Sequence, residues 1–571
     1  MTKRNIVVVA LIALAVLALV WYVQTRPGRT LYVGGPILTM DADNRVVDAL
    51  AVAGERIAGV GSEAELREWA SREGARIVDL EGRALLPGFI DAHGHFPGAG
   101  IYAVLVDLNS PPIGEVGDMA DLVGRLSARA AQTSDGDWVV GMGYDDSLLA
   151  ERRHPTRDDL DRASAAHPIA IFHVSGHLAV ANSAALERVG IDASTPDPEG
   201  GVVRRRPESR EPDGVLEETA MEPVGHLLSP SLLDGLKIVR RAGQIYLEQG
   251  VTTAQSGYTN ATVMQGLARS WRLGLIPLRL IMWPDEEVSQ ALLDGSLEFS
   301  SPDELWLRLG ATKLIGDGSI QGYTGYLGRP YHVPPGDDPE YRGYPRIPRD
   351  DLIEKVVALH ASGLQVAVHG NGDASIDDIL DAFEAAQAAD PRDDARHVII
   401  HAQMTRDDQL DRMKRLGVIP SFFSLHTYYW GDRHRDIFMG PERAARMSPA
   451  RGAVERGLRF TIHADCPVVP MEPLRLVWAA VNRRSTSGAS IGAAQRIEPL
   501  QALRAVTIDA AYQHFEENEK GSLEVGKLAD FVILSKSPLE IPEQIDQIRV
   551  LETVIGGRSA YRYDAGASAG E

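Results

Sequence analysis

Two histidines stand one residue apart in Asp91-Ala92-His93-Gly94-His95, at the close of the apolar run Ala84-Leu85-Leu86-Pro87-Gly88-Phe89-Ile90. Residues two apart on a β-strand point to the same side, so both imidazoles are expected to project together from the strand's end. Paired imidazoles on one face suit a borderline-soft cation such as zinc, and Gly94 leaves room between the rings. The plainer reading is two unrelated polar residues at a strand terminus. Other side chains able to ligate a metal or move a proton close later apolar runs. They are Lys313 and Asp317 in Thr312-Lys313-Leu314-Ile315-Gly316-Asp317-Gly318, then His369, His401 and Asp465. A chance scatter of the chain's 16 histidines would not favour such placement.

Eight strand-like runs would carry these residues, at 85–91, 250–255, 276–283, 309–315, 364–369, 397–401, 418–423 and 458–462. Helical patterns at 350–362, 375–389, 406–416 and 441–456 lie between the later runs. This alternation predicts an α/β fold with a parallel sheet. Eight units predict a (β/α)8 TIM barrel over 85–514, with its site at the strands' C-terminal ends. The stretch from about 100 to 245 reads as an insertion after the first strand. Short strands and Gly-rich turns over 29–84, and again over 515–563, predict a small β-sandwich domain built by both ends of the chain. Residues 331–348, rich in Pro, Gly and Asp, read as a loop or lid, and 564–571 as a flexible tail.

The 571 residues are 44% hydrophobic and carry a formal net charge of -21. That is ample for a large core and argues against a nucleic-acid partner. The single cysteine, Cys466, rules out an internal disulfide and any cysteine-built metal cluster. Residues 6–23 form an unbroken apolar run of 18 residues, preceded by Lys3 and Arg4 and ending near Trp21 and Tyr22. Such a run is just long enough for one transmembrane helix, so 1–28 read as a single-pass anchor in a lipid bilayer. The large domain would then lie outside the cytoplasm. Arg26 and Arg29 nearly balance the N-terminal charges, which weakens the orientation rule. The alternative is a cleaved signal peptide and a secreted or periplasmic protein, against which the poor Val16-Leu17-Ala18 site speaks. A homo-oligomer is left open.

The chain resembles the amidohydrolase superfamily, in its YtcJ-like branch of formamide deformylase-type metal-dependent hydrolases. The segments that carry the resemblance start with Leu86-Pro87-Gly88-Phe89-Ile90-Asp91-Ala92-His93-Gly94-His95 and Gly176-His177-Leu178-Ala179-Val180-Ala181-Asn182-Ser183. They continue with Lys313-Leu314-Ile315-Gly316-Asp317-Gly318-Ser319, His401-Ala402-Gln403, His463-Ala464-Asp465 and Gly521-Ser522-Leu523-Glu524-Val525-Gly526-Lys527-Leu528-Ala529-Asp530. The first and last are general to the superfamily, and the middle ones point to the branch. The resemblance implies hydrolysis of a non-peptide carbon–nitrogen bond in a small-molecule amide, N-acyl or N-formyl substrate. It implies one or two divalent ions, zinc foremost, with His93 and His95 on the more buried ion and His369 and His401 on the second. Lys313 would bridge them as a carbamate formed with carbon dioxide, because an ammonium cannot ligate whereas a carbamate offers an anionic oxygen. An ion pair of Lys313 with Asp317 or another carboxylate is the competing reading. Asp465 would contact metal and act as general base, against a helix N-cap before Pro467. In one departure, Ile400 stands where relatives often carry a glutamate. By strand alternation it is expected to point away from the barrel centre.

His177 and His426 are candidates for holding the substrate carbonyl or the tetrahedral oxyanion. His177 could instead organise the insertion. Tyr428, Tyr429 and Trp430 could line an apolar acyl or aryl pocket, or pack under a loop. Cys466 reads as a small buried residue rather than a reactive thiol or metal ligand. Asp145 and Asp146 match a motif of the branch and are assigned no chemistry, loop solvation being the plainer reading, and Arg204-Arg205-Arg206 reads as a solvated turn rather than a grip on an acidic substrate. Two other functions compete. One is a mononuclear deaminase or cyclic-amide hydrolase of the same superfamily, which an unmodified Lys313 with one ion would favour. The other is a non-catalytic binding protein on a barrel scaffold, against which the six ligand-type residues stand.

Overall fold

A computed structural model of the protein describes residues 28–225, 227 and 231–564. The expected anchor at 6–23 and the tail beyond 564 lie outside these residues. Among the described residues no helix is long and apolar enough to cross a membrane.

The two ends of the chain share one eight-stranded sheet. Its seam pairs Ala84–Pro87 antiparallel with Phe531–Leu534, Leu86 facing Val532. The strand Arg29–Leu38 has a bulge between Val33 and Ile37, and its two halves take different neighbours, Arg76–Asp79 and Ala84–Pro87. Side-chain alternation splits its apolar residues between the faces. Tyr32 packs with Leu50 and Phe531, while Leu31 and Val33 pack with Ala49 and Ala51. The expected sandwich is therefore one forked sheet.

The first expected run, 85–91, is not one strand. Ala84–Pro87 belongs to the sheet of the termini, and only Phe89–Ile90 pairs parallel with Val251–Thr259. Gly88 makes the break, because a Cβ there would lie 2.2 Å from Thr252 Cγ2. The other runs form two all-parallel sheets. One orders Leu307–Leu309, Arg279–Pro284, Val251–Thr259 and Phe89–Ile90; the other orders Thr312–Ile315, Val366–Gly370, Val398–His401, Ile419–Phe422 and Thr461–Ile462. The chain steps from the first to the second across Gly310-Ala311, so the fourth run is divided between them. At the far edges Asp465 N–H donates to His93 O (3.1 Å) and His95 N–H to Cys466 O (2.7 Å). These strands are buried on both faces, as parallel strands covered by helices are. The helix Asp373–Ala389 turns Ile376, Ile379, Leu380 and Phe383 inward at three- and four-residue spacing.

The segment after His95 builds a sheet of its own. Six strands run in the order Gly201–Arg205, Pro212–Glu218, Leu178–Ala181, Ile169–His173, Val139–Tyr144 and Val106–Asp107, over two separate apolar clusters. Arg204 and Arg205 lie on the edge strand rather than in a solvated turn, and Arg204 pairs with Glu217. Residues 331–348 contain no helix or strand and lie against this layer, through Tyr344 Oη to Glu217 Oε2 (3.0 Å) and Arg346 to Glu218 Oε2 (3.3 Å).

Candidate metal centre

His93 and His95 do converge, but through a turn rather than strand alternation, since the strand stops at Ile90. Gly94 permits the turn. A Cβ there would lie 2.4 Å from Asp91 Oδ2, and Gly94 N–H donates to Gln255 Oε1 at 2.9 Å. His95 Nδ1–H donates to Gly257 O at 2.7 Å, leaving its Nε2 as a lone pair. The two rings stand 5.2 Å apart, and His93 stacks on Trp283. Gly94→Ala is expected to displace the pair and lower metal occupancy, measured as metal per chain by elemental analysis; full occupancy would mean the turn tolerates a Cβ.

Asp465 closes the group. Its Oδ1 lies 3.2 Å from His95 Nε2 and 3.5 Å from His93 Nε2, and its Oδ2 3.9 Å from His401 Nε2. It caps no helix and sits at φ +54°, one of several non-glycine left-handed residues around the site. Burial works to raise its pKa, but the neighbouring His95, His463 and Lys313 prevail and hold it below the ordinary value. Lys313 Nζ stands 3.2 Å from His93 Nε2, and burial brings its pKa down to about 7.

Asp317 does not pair with Lys313. It accepts His369 Nδ1–H (3.1 Å) and the backbone N–H groups of Tyr326, Asn371 and Gly372 (2.9, 2.9 and 2.8 Å). His369 and His401 lie 4.5 Å apart, centroid to centroid. His401 Nδ1 contacts His463 Nε2 (3.1 Å), whose Nδ1 meets Ser421 Oγ (2.8 Å). Burial pushes the pKa values of His93, His369 and His401 well below the usual imidazole value, so all three are neutral, as a metal ligand must be.

The expectation for Ile400 is corrected. It packs with Trp283, Ala367 and Ile419, the cluster beneath His93, not away from it. His401 still reaches the site because its own φ of +69° interrupts the strand's alternation.

His426 is buried against Phe423 (4.3 Å) and 6.2 Å from His401, with Nδ1 lacking a hydrogen-bond partner. His177 comes in from the insertion, its ring 5.0 Å from His369, and its Nδ1–H donates to Glu218 Oε2 at 2.9 Å. Asp145 and Asp146 are not solvated. Asp145 accepts Trp430 Nε1–H (2.7 Å), and Asp146 lies 3.2 Å from His173 Nε2. Tyr428 packs edge-on to Trp478, and the Cys466 thiol is buried with its pKa pushed up by burial. The sequence assigns no role to Glu218, Gln255 or His463; each matters through a partner distant along the chain.

One ligand atom each from His93, His95 and Asp465 lies within 4.8 Å of the others. Asp465 Oδ1 is buried without a hydrogen-bond partner, and the His95 and His369 lone pairs are freed by bonds at Nδ1. These residues fit a divalent cation.

An N-substituted formamide deformylase from Arthrobacter pascens is 28% identical over 557 residues, spanning 94% of this chain and 99% of that protein. The protein YtcJ of Bacillus subtilis is 26% identical over 559 residues, spanning 93% and 99%. The solved structure of a metal-dependent hydrolase from Pyrococcus horikoshii superposes with a TM-score of 0.72 at 25% identity, over 90% of this chain and 99% of that one. The amidohydrolase family model matches residues 76–561. Together with the convergent ligand set, this coverage places the chain in the amidohydrolase family, as a metal-dependent hydrolase of carbon–nitrogen bonds.

Proposed function

We propose that the protein hydrolyses a non-peptide amide bond in a small N-acyl or N-formyl compound, using two divalent ions held at one mouth of a (β/α)8 barrel. The observation that carries this reading is the approach of His93 and His95 to Asp465, with Lys313 Nζ 3.2 Å from His93 Nε2. In this reading the two parallel sheets act as one closed barrel, zinc would be the preferred metal, and Lys313 would serve as a ligand in carbamylated form. Its low pKa supports the modification, because only the neutral amine attacks carbon dioxide. When bound, such ions polarise a carbonyl and lower the pKa of water to about 7.

The chain's own residues do the remainder. Asp465 takes the proton of the attacking water at a carboxylate oxygen and delivers it to the departing nitrogen. His426, buried and with Nδ1 unpaired, offers a donor to the developing oxyanion. Trp283 beneath His93 and Gln255 beneath Gly94 keep the ligand loop in place. The apolar run at 6–23 supports tethering this hydrolase to a membrane with its catalytic domain outside the cytoplasm. Release of the full chain by carbonate washing would refute the anchor.

The test is a panel of formamides, anilides and N-acyl amino acids, with chelator-stripped protein and protein reloaded with zinc, manganese or nickel. Turnover restored by metal on at least one amide is the expected result. No metal bound and no hydrolysis after reloading would overturn the assignment.

A further inference from the structure

We propose that His177, held by Glu218, is a ligand of the second metal beside His369, and not a donor to the substrate oxygen. The inference rests on the binuclear reading above. A carboxylate only accepts hydrogen bonds, so the 2.9 Å contact of His177 Nδ1 with Glu218 Oε2 puts the imidazole proton on Nδ1. In that tautomer the ring presents a bare lone pair at Nε2. It can ligate a cation, and it has no proton there to offer an oxyanion.

His369 is held in the same way. Its Nδ1–H goes to Asp317, and the two rings stand 5.0 Å apart at 59°. Two buried carboxylates therefore back two neighbouring histidines, the arrangement that fixes tautomer and raises basicity in metal-ligating imidazoles. Both carboxylates are almost wholly buried, Glu218 at 1% and Asp317 at 0% side-chain exposure.

The backbone around Glu218 is built to keep the pair. Glu218 N–H donates to His177 O at 2.9 Å, so the two residues are tied through both main chain and side chain. Glu218 adopts φ +50° and ψ -120°, a strained conformation for a residue with a side chain, which persists only where surroundings impose it. Gly318, five residues after Lys313, makes room, since a Cβ there would lie 2.3 Å from Glu218 Oε1. Arg346 also reaches Glu218 Oε2 (3.3 Å), so residues 331–348 help hold this histidine.

Cobalt(II) is the probe. The chelator-stripped full chain is titrated and followed by visible absorption, which reports coordination independently of turnover. Wild type is expected to take two equivalents. His177→Ala should keep the first and bind the second at least about 10- to 100-fold more weakly, with an altered spectrum. Glu218→Gln, nearly isosteric, should weaken the second site in the same direction and serves if His177→Ala does not fold. Two equivalents with unchanged affinity and spectrum in a folded variant would overturn the proposal and leave the binuclear reading standing. Fewer than two equivalents in wild type would overturn both.

Discussion

Asp465→Asn is expected to lower kcat by about 10²- to 10⁴-fold, the usual contribution of a positioned general acid–base group. The amide keeps an oxygen for contact but cannot take the proton from water or return it to nitrogen. The wild-type carboxylate suits that task because it stays ionised while buried: the neighbouring His95, His463 and Lys313 outweigh burial. As pH falls, protonation of this carboxylate removes the base, so the acid limb of kcat/KM should report it and should disappear in the variant. Metal content must be measured alongside, since Asp465 lies within reach of His93, His95 and His401. Equal turnover at equal metal content would remove Asp465 from this role.

Asp530→Ala is expected to destabilise the fold by about 3–5 kcal/mol, read from denaturant midpoints, because it strands a buried guanidinium. Arg279 and Asp530 form a two-pronged pair at 2.6 and 3.0 Å, with 1% and 3% side-chain exposure. Asp530 also accepts Gly556 N–H at 2.8 Å, so the pair joins a parallel-sheet strand to the sheet of the termini. Burial alone would raise the Asp530 pKa, but Arg279 holds it below the ordinary value. A depressed folded-state pKa contributes stability above the unfolded value of about 3.9 that is lost as pH falls through the folded value. Wild type should therefore lose this contribution only in strong acid, and the variant should lack it at every pH. A stability change within about 0.5 kcal/mol, the range of ordinary surface substitutions, would show that the pair contributes little.

The ligand types were legible because each closes an apolar run of strand length, and strand-to-loop junctions are where parallel sheets place chemistry. Their partners were not. Asp317 looks like an ion-pair partner for Lys313 four residues away, yet its oxygens are taken by His369 and by a loop some fifty residues further on. Glu218 carries no local signal at all, because its role comes from His177, 41 residues earlier. Ile400 was misread for a definite reason: alternation holds only while the backbone stays extended, and His401 leaves that region.

By itself the sequence marked side chains whose chemistry suits a metal and indicated that parallel strands with covering helices would present them, because residue chemistry and hydrophobic period are local properties. It also expected the His93 and His95 rings to converge, which they do, but by an argument that does not apply, since the two sit on a turn. Only the tertiary structure decided which nitrogen of each imidazole is free. A tautomer is set by the group opposite Nδ1: Gly257 O for His95, Asp317 for His369 and Glu218 for His177. Those groups lie 162, 52 and 41 residues away, where no local pattern reaches.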